Sequence, residues 1–242
     1  GKQQYEAQLQ EELAREGQPL PPGRGAKRIR RPALLIHIIT ETINDLLRKA
    51  WLAGTPTLPE ELKRVTLCAV PKGGGKYRPV CLLHHLTQLI DKAIATRAYR
   101  WAVEKGVMPE SQFAYRPGRS TKDAIARFNA LLADCLRQHD HAAVVFIDYK
   151  GAFDSVKRQR LLDKLHAAGA SYELQWLAAI SLMPRNVFYP ADPDAGTASI
   201  GFGIQQGSTA GPIWWNLYIH DFAPKSARGH VVYADDKAAV VE

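Results

Sequence analysis

Polar and apolar positions change period several times along this chain. Residues 2–15 are polar and helix-prone, and residues 17–25, with Pro19, Pro21 and Pro22, form a breaker-rich linker. With the basic cluster Lys27, Arg28, Arg30 and Arg31, this end is expected to be a weakly ordered extension over residues 1–31. From Pro32 to about Trp51, Leu35, Ile39, Ile43 and Leu46 recur at helical spacing, and Gly54-Thr55-Pro56 stops the helix. Val65 to Val70 and Tyr77 to Leu83 read as two strands of a hairpin turned by Lys72-Gly73-Gly74-Gly75-Lys76.

Helical periodicity returns over Leu86 to Val107, where Leu89, Ile90, Ala93, Ile94 and Arg97 are expected to share one face. The loop Arg116-Pro117-Gly118-Arg119-Ser120 enters a helix over Thr121 to Arg137. Val144 to Ile147 forms a strand that ends in Asp148, and helices follow over Arg158–Ala168 and Tyr172–Leu182. Ala198 to Ile204 alternates like a strand, Gln205-Gln206-Gly207 breaks it, and a helix resumes from Ile213 to Phe222. A last strand through Val231 and Val232 carries Asp235-Asp236 on a tight turn. Strands separated by helices, with one hairpin, predict an α+β fold or a mixed α/β sheet whose acids collect at one edge.

At 46% hydrophobic residues, a chain of 242 can bury a substantial core without disulfides. The three cysteines, Cys68, Cys81 and Cys135, lack metal-ligand or redox spacing and read as small apolar residues in a reducing, intracellular compartment. That compartment would be the nucleus or cytoplasm in a eukaryote and the cytoplasm in a bacterium. No stretch approaches the ~18 apolar residues that would span a bilayer, so no membrane partner is expected. The formal charge of +8 suits a nucleic-acid partner as well as it suits a merely basic surface.

Two strands that each present a carboxylate to one edge, Asp148 from the first and Asp235 with Asp236 from the second, suit hard divalent cations. Two such ions a few Å apart are the arrangement used for phosphoryl and nucleotidyl transfer. Asp154, six residues after Asp148, reads better as the cap of a helix starting near Val156. No convincing Ser-His-Asp or Cys-His arrangement stands among the eight histidines.

Taken together these segments resemble the reverse transcriptase family, and most of all the RNA-directed DNA polymerases of non-LTR (LINE-like) retrotransposons. The matching stretches are Pro71-Lys72 with Tyr77-Arg78-Pro79-Val80, Ser111 to Thr121, the Asp148 strand, Gly203 to Asp221, and Tyr233-Ala234-Asp235-Asp236. The resemblance covers Val70 to Glu242. It implies the fingers and palm of a right-hand polymerase over residues 32–242, with Asp148, Asp235 and Asp236 holding two Mg²⁺ ions for which Mn²⁺ can substitute. RNA template, DNA primer and dNTPs would be the partners. It assigns Lys72 and Arg78 to the triphosphate, Phe153 to a gate against a 2′-hydroxyl, and Gln206 and Gly207 to the templating pair. Arg116 and Arg119 either receive a phosphate or merely open a helix capped by Ser120.

Five positions depart from the family pattern: Gln205, Gly211, the pair Trp214-Trp215, and Lys237 directly after the acids. The chain stops at Glu242, so the primer grip and thumb are expected to be absent, with weak binding of primer-template as the consequence. A catalytically inactive nucleic-acid-binding remnant and a group II intron-type enzyme are the alternatives. An RNA-dependent RNA polymerase would share the metal logic, but Phe153 and Tyr233-Ala234 argue against it. A basic α/β domain with accidental motifs is the blandest alternative.

Overall fold

The computed structural model describes residues 32–190, 197–201, 203–225 and 227–241. The polar helix, linker and basic cluster expected over residues 1–31 lie outside the described residues. The chain divides into two compact units, residues 1–41 and 42–242. Of the first, the described part is the start of helix α1 (Pro32–Leu52), whose remainder belongs to the second.

After the short helix α2 (Glu60–Lys63), strands β1 (Arg64–Gly73) and β2 (Lys76–Leu83) form the expected hairpin, with Gly73, Gly74 and Gly75 all at positive φ around its tip. Helix α3 (His85–Glu104) follows, then α4 (Thr121–Gln138), β3 (Ala143–Ile147), α5 (Arg158–Ala167) and α6 (Tyr172–Ser181). The chain continues through β4 (Arg185–Phe188), β5 (Thr197–Ile200), α7 (Gly211–Tyr218), β6 (Gly229–Tyr233) and β7 (Asp236–Val241). The result is an α+β fold in which sheets pack against helices.

One sheet is mixed, in the order β2-β1-β4-β5, with β1 parallel to β4 and the other pairs antiparallel. The second is antiparallel, in the order β3-β7-β6. Their helices meet in one apolar core that joins Ile90, Ile94 and Ala98 of α3 to Leu161 and Leu165 of α5, Leu177 and Ala178 of α6, and Trp214, Trp215 and Leu217 of α7. Full burial of each large apolar side chain contributes about 1.5–3 kcal/mol. A smaller cluster of Phe113, Ala124 and Val231, with Phe128 and Leu131 against it, fixes α4 on the three-stranded sheet.

Several expectations are corrected. The buried face of α3 is Thr87, Ile90, Asp91, Ile94, Ala98 and Ala102, whereas Leu89, Ala93 and Arg97 face solvent. Asp91 is buried because its carboxylate is hydrogen-bonded inside the protein, a pairing that hydropathy does not reveal. The strand expected to Ile204 ends at Ile200: Gly203 takes a φ of +67°, and Ile204 turns inward as its N–H bonds the Phe153 carbonyl at 2.8 Å. Asp154 caps no helix: the helix α5 starts at Arg158, where the periodicity placed it, with Lys157 before it and no side-chain cap. Short β4 was too brief to register as a period, and β7 makes the acidic turn the tip of a hairpin rather than a chain end.

Candidate active site

Register places the acids. Along β3 and β7 the pairs run from Ala143↔Val241 to Ile147↔Lys237, so one step further Asp148 comes to lie beside Asp236. Tyr233↔Asp236 closes the β6–β7 hairpin and leaves Ala234 and Asp235 as its two-residue turn. Opposed Cα atoms in an antiparallel pair are roughly 4.5–5.5 Å apart, which brings the three acids to one sheet edge. Asp148 and Asp236 are exposed and Asp235 is half-buried. Among the described residues, no hydrogen bond or ion pair engages any of the three carboxylates. An uncommitted set of hard oxygen donors fits Mg²⁺, which is commonly held by one or two carboxylates together with substrate phosphates. Among the described residues no group of three or more His, Cys, Asp or Glu side chains is already gathered around a common metal position.

The turn is braced from below by residues to which the sequence reading gave no role. Ala234 has a φ of 59°, a left-handed conformation in a residue with a Cβ. Ser111 and Phe113 exchange backbone bonds with Val232 (2.8 and 2.9 Å), which lays this segment along β6 and sets Gln112 beneath the turn. The fully buried Gln112 accepts from Ala234 N–H at 3.1 Å and Ala114 N–H at 3.0 Å, and donates to the Ala234 carbonyl at 3.4 Å. Trp215 Nε1 donates to that same carbonyl at 2.9 Å. Tyr115 is next to the acids: burial pushes its phenol up, and the Asp235 and Tyr233 charges add to the effect.

Phe153, half-buried, stacks on Trp215 with ring centroids 5.8 Å apart and planes 15° from parallel. The Tyr149 ring meets Trp215 edge-on at 5.7 Å, so the residue after Asp148 and the expected gate converge on one indole. A Cβ on Gly211 would lie 3.1 Å from Ile204 Cγ2 and 3.2 Å from the Phe153 ring, so a larger residue there would press on the expected gate. The Gln206-Gly207 loop sits on β2, where Cys81 N–H donates to the Gln206 carbonyl at 2.7 Å. The half-buried Gln206 side-chain amide has no hydrogen bond among the described residues. Ser208 Oγ donates to Asp91 at 2.7 Å and Ser181 Oγ to the same carboxylate at 2.9 Å, tying the loop to α3 and α6. Burial pushes the Asp91 carboxyl up, against the opposing pull of Ser208, Arg185 and Ser181.

Lys72 and Arg78 lie on the exposed hairpin, with no internal partner among the described residues. Arg116 and Arg119 are instead committed to their own loop. Arg116 donates to the Pro109 carbonyl at 2.5 Å, Arg119 pairs with Glu110 at 2.5 Å, and Arg119 also lies over the Phe113 ring. Ser120 and Asp123 form a capping box, the helix-entry arrangement. Lys237 points away from the acids by strand alternation, into a cage where it donates to Tyr149 Oη at 3.0 Å and lies 3.2 Å from the Phe222 ring centre. Burial lowers its ammonium to about 8, against the Asp221 carboxylate and with Lys164 adding to the drop. Gln205 is buried, and its Nε2 has no hydrogen-bond partner among the described residues.

Residues 70–242 match the family described as Reverse transcriptase (RNA-dependent DNA polymerase). Similar proteins include a Retrovirus-related Pol polyprotein from type-1 retrotransposable element R1 of Bradysia coprophila, 28% identical over 69% of this chain and 16% of its own length. Another is the Probable RNA-directed DNA polymerase from transposon BS of Drosophila melanogaster, 25% identical over 67% of this chain and 19% of its own. The RNA-directed DNA polymerase from mobile element jockey of Drosophila funebris is 26% identical over 69% and 19%. The chain thus spans under a fifth of the length of these relatives. Among solved structures, apo telomerase from Candida tropicalis superposes with a TM-score of 0.58 at 10% identity, covering 85% of this chain and 44% of that one. That likeness is one of fold. Among the described residues no helix is long and apolar enough to cross a membrane.

Proposed function

This chain belongs to the reverse transcriptase family and is homologous to its non-LTR retrotransposon members, and we propose that it adds dNTPs to a primer 3′-hydroxyl under the direction of an RNA template. The observation that carries this reading is the β3–β7 register, which brings Asp148 beside Asp236 with Asp235 in the adjoining turn. In this reading the three-stranded sheet with its helices is the palm and the β1–β2 hairpin belongs to the fingers. Residues 1–31 are a basic extension.

Asp148, Asp235 and Asp236 would hold two Mg²⁺ ions, with Mn²⁺ able to replace them. When bound, such ions supply Lewis-acid chemistry: they lower the pKa of the primer hydroxyl and neutralise charge on the triphosphate and departing pyrophosphate. The protein's own side chains then position and select. Phe153, backed by Trp215, presents an aromatic surface that a 2′-hydroxyl would strike, which favours dNTPs. Arg78, and Lys72 at the glycine tip, are free to contact phosphate oxygens, the arginine through a bidentate fork. The uncommitted Gln206 amide is available to the template strand or incoming nucleotide, and Gly207, whose missing Cβ faces the Cys81 backbone, seats the loop that presents it on β2. Arg116 and Arg119 shape the loop at the helix entry, and any phosphate contact they make with the template would have to compete with Glu110.

Extension of a DNA primer annealed to RNA, with dNTPs and Mg²⁺ or Mn²⁺, tests the proposal. Products complementary to the template support it. Tight binding of primer-template without any extension, even by a longer chain carrying the sequence that follows in relatives, would instead identify an inactive binding remnant.

A further inference from the structure

Both backbone polar groups of Ala234, one from each of the peptide units that flank its Cα, are gripped, from two directions. Gln112 takes its N–H and also donates to its carbonyl, while Trp215 donates to that carbonyl from α7. Both gripping side chains are buried and come from segments remote in sequence. Ala234 and Tyr115 are the non-glycine residues with left-handed backbone among the described residues, and Gln112 also binds the N–H of Ala114, directly before Tyr115. A conformation that a Cβ disfavours persists where its surroundings over-determine it. The two residues that follow Ala234 are the acids, and a peptide rotation here would swing both carboxylates. Mg²⁺ tolerates little departure from octahedral geometry, so slack in this turn weakens any site built on it.

We propose that Gln112 and Trp215 are positioning residues for the acidic turn: they lock the backbone on both sides of the Ala234 Cα and so set where Asp235 and Asp236 present their carboxylates. Trp215 carries the same constraint to Phe153, on which it stacks. The assignment rests on the reading of the acids as cation ligands. An aromatic ring without an N–H, at the position of Trp215, would keep the stack and lose the bond.

The test compares wild type with Trp215→Phe, Trp215→Leu and Gln112→Met, each first shown to be folded by thermal unfolding. Three quantities are read: Mn²⁺ binding to the chain alone by electron paramagnetic resonance, exchange of the Ala234 amide proton, and kcat and KM for dNTPs and rNTPs in primer extension. Trp215→Phe is expected to weaken Mn²⁺ binding roughly tenfold or more and to lower kcat in step, as loss of a residue that orients a metal ligand does. KM for dNTP and the preference for dNTP over rNTP should hold. Trp215→Leu, which also removes the stack, should in addition erode that preference, and Gln112→Met should speed Ala234 amide exchange. Mn²⁺ binding within about twofold of wild type in both Trp215→Phe and Gln112→Met would overturn the proposal, as would wild-type binding that does not depend on Asp235. A wild-type chain that binds Mn²⁺ but extends no primer would count against the polymerase reading, while the Mn²⁺ and exchange measurements would still decide the clamp.

Discussion

Gly207→Ala should destabilise the chain even when no nucleic acid is present. Gly207 has a φ of +113°, where L residues are strained, and a Cβ there would lie 2.2 Å from the Cys81 carbonyl oxygen and 3.2 Å from its carbonyl carbon. Both obstacles are backbone in the middle of β2, where Cys81 pairs with Leu67, so neither can swing aside as a side chain would. The loop must therefore lift, breaking the 2.7 Å bond from Cys81 N–H to the Gln206 carbonyl. Strain of about 1–3 kcal/mol and loss of one hydrogen bond at about 1 kcal/mol give a total near 2–4 kcal/mol. For a domain of this size that corresponds to a fall in Tm of roughly 5–15 °C. Urea and thermal unfolding of wild type and variant measure it directly. A loss below about 0.5 kcal/mol, the range of inert surface changes, would refute the seating of this loop on β2.

Asp91→Asn tests the buried network beneath the same loop through pH. Because burial raises the folded-state pKa of Asp91 above its unfolded value, protonation favours the native state, and this contribution grows as pH falls through the raised pKa toward about 4. The stability of wild type relative to Asp91→Asn should therefore rise on acidification, with a slope of at most about 1.4 kcal/mol per pH unit; a difference that is flat or falls would contradict the assignment. Phe153→Val should lower discrimination against rNTPs by about tenfold or more in competitive primer extension, and unchanged selectivity would remove the gate. Arg78→Ala should raise KM for dNTP with a smaller effect on kcat, whereas an unchanged KM would leave Arg78 as a solvated hairpin residue.

Local signals made much of this fold legible. The β1–β2 hairpin announced itself through three glycines between β-prone runs, and α4 through its entry loop ending in Ser120, because turn and cap chemistry depend on neighbours in sequence. Positions decided by distant partners were not legible in the same way. Asp91 was not among the residues expected on the buried face of its helix, yet it is buried where Ser181 and Ser208 reach it from other elements. Lys237, an apparent misfit after the acids, is explained by the aromatic rings of Tyr149 and Phe222, far from it in sequence. The three acids stood out in the sequence as a candidate set, but their adjacency depends on β7, whose run Asp236–Val241 looked like the end of the chain. Gln112 stood within a motif read for its arginines. Its glutamine at a strand-like bridge, and the tryptophan at 215 with a donor to satisfy once buried, were the signals available for the brace under the turn.

The most direct test of the central claim is single-nucleotide extension of a DNA primer on RNA by wild type, Asp148→Ala and Asp235→Ala, at equal folded concentration with saturating Mg²⁺. The arrangement of the acids predicts dNTP addition by wild type, and loss of that addition in both variants while primer-template affinity is retained. Extension by either variant at the wild-type rate would contradict it.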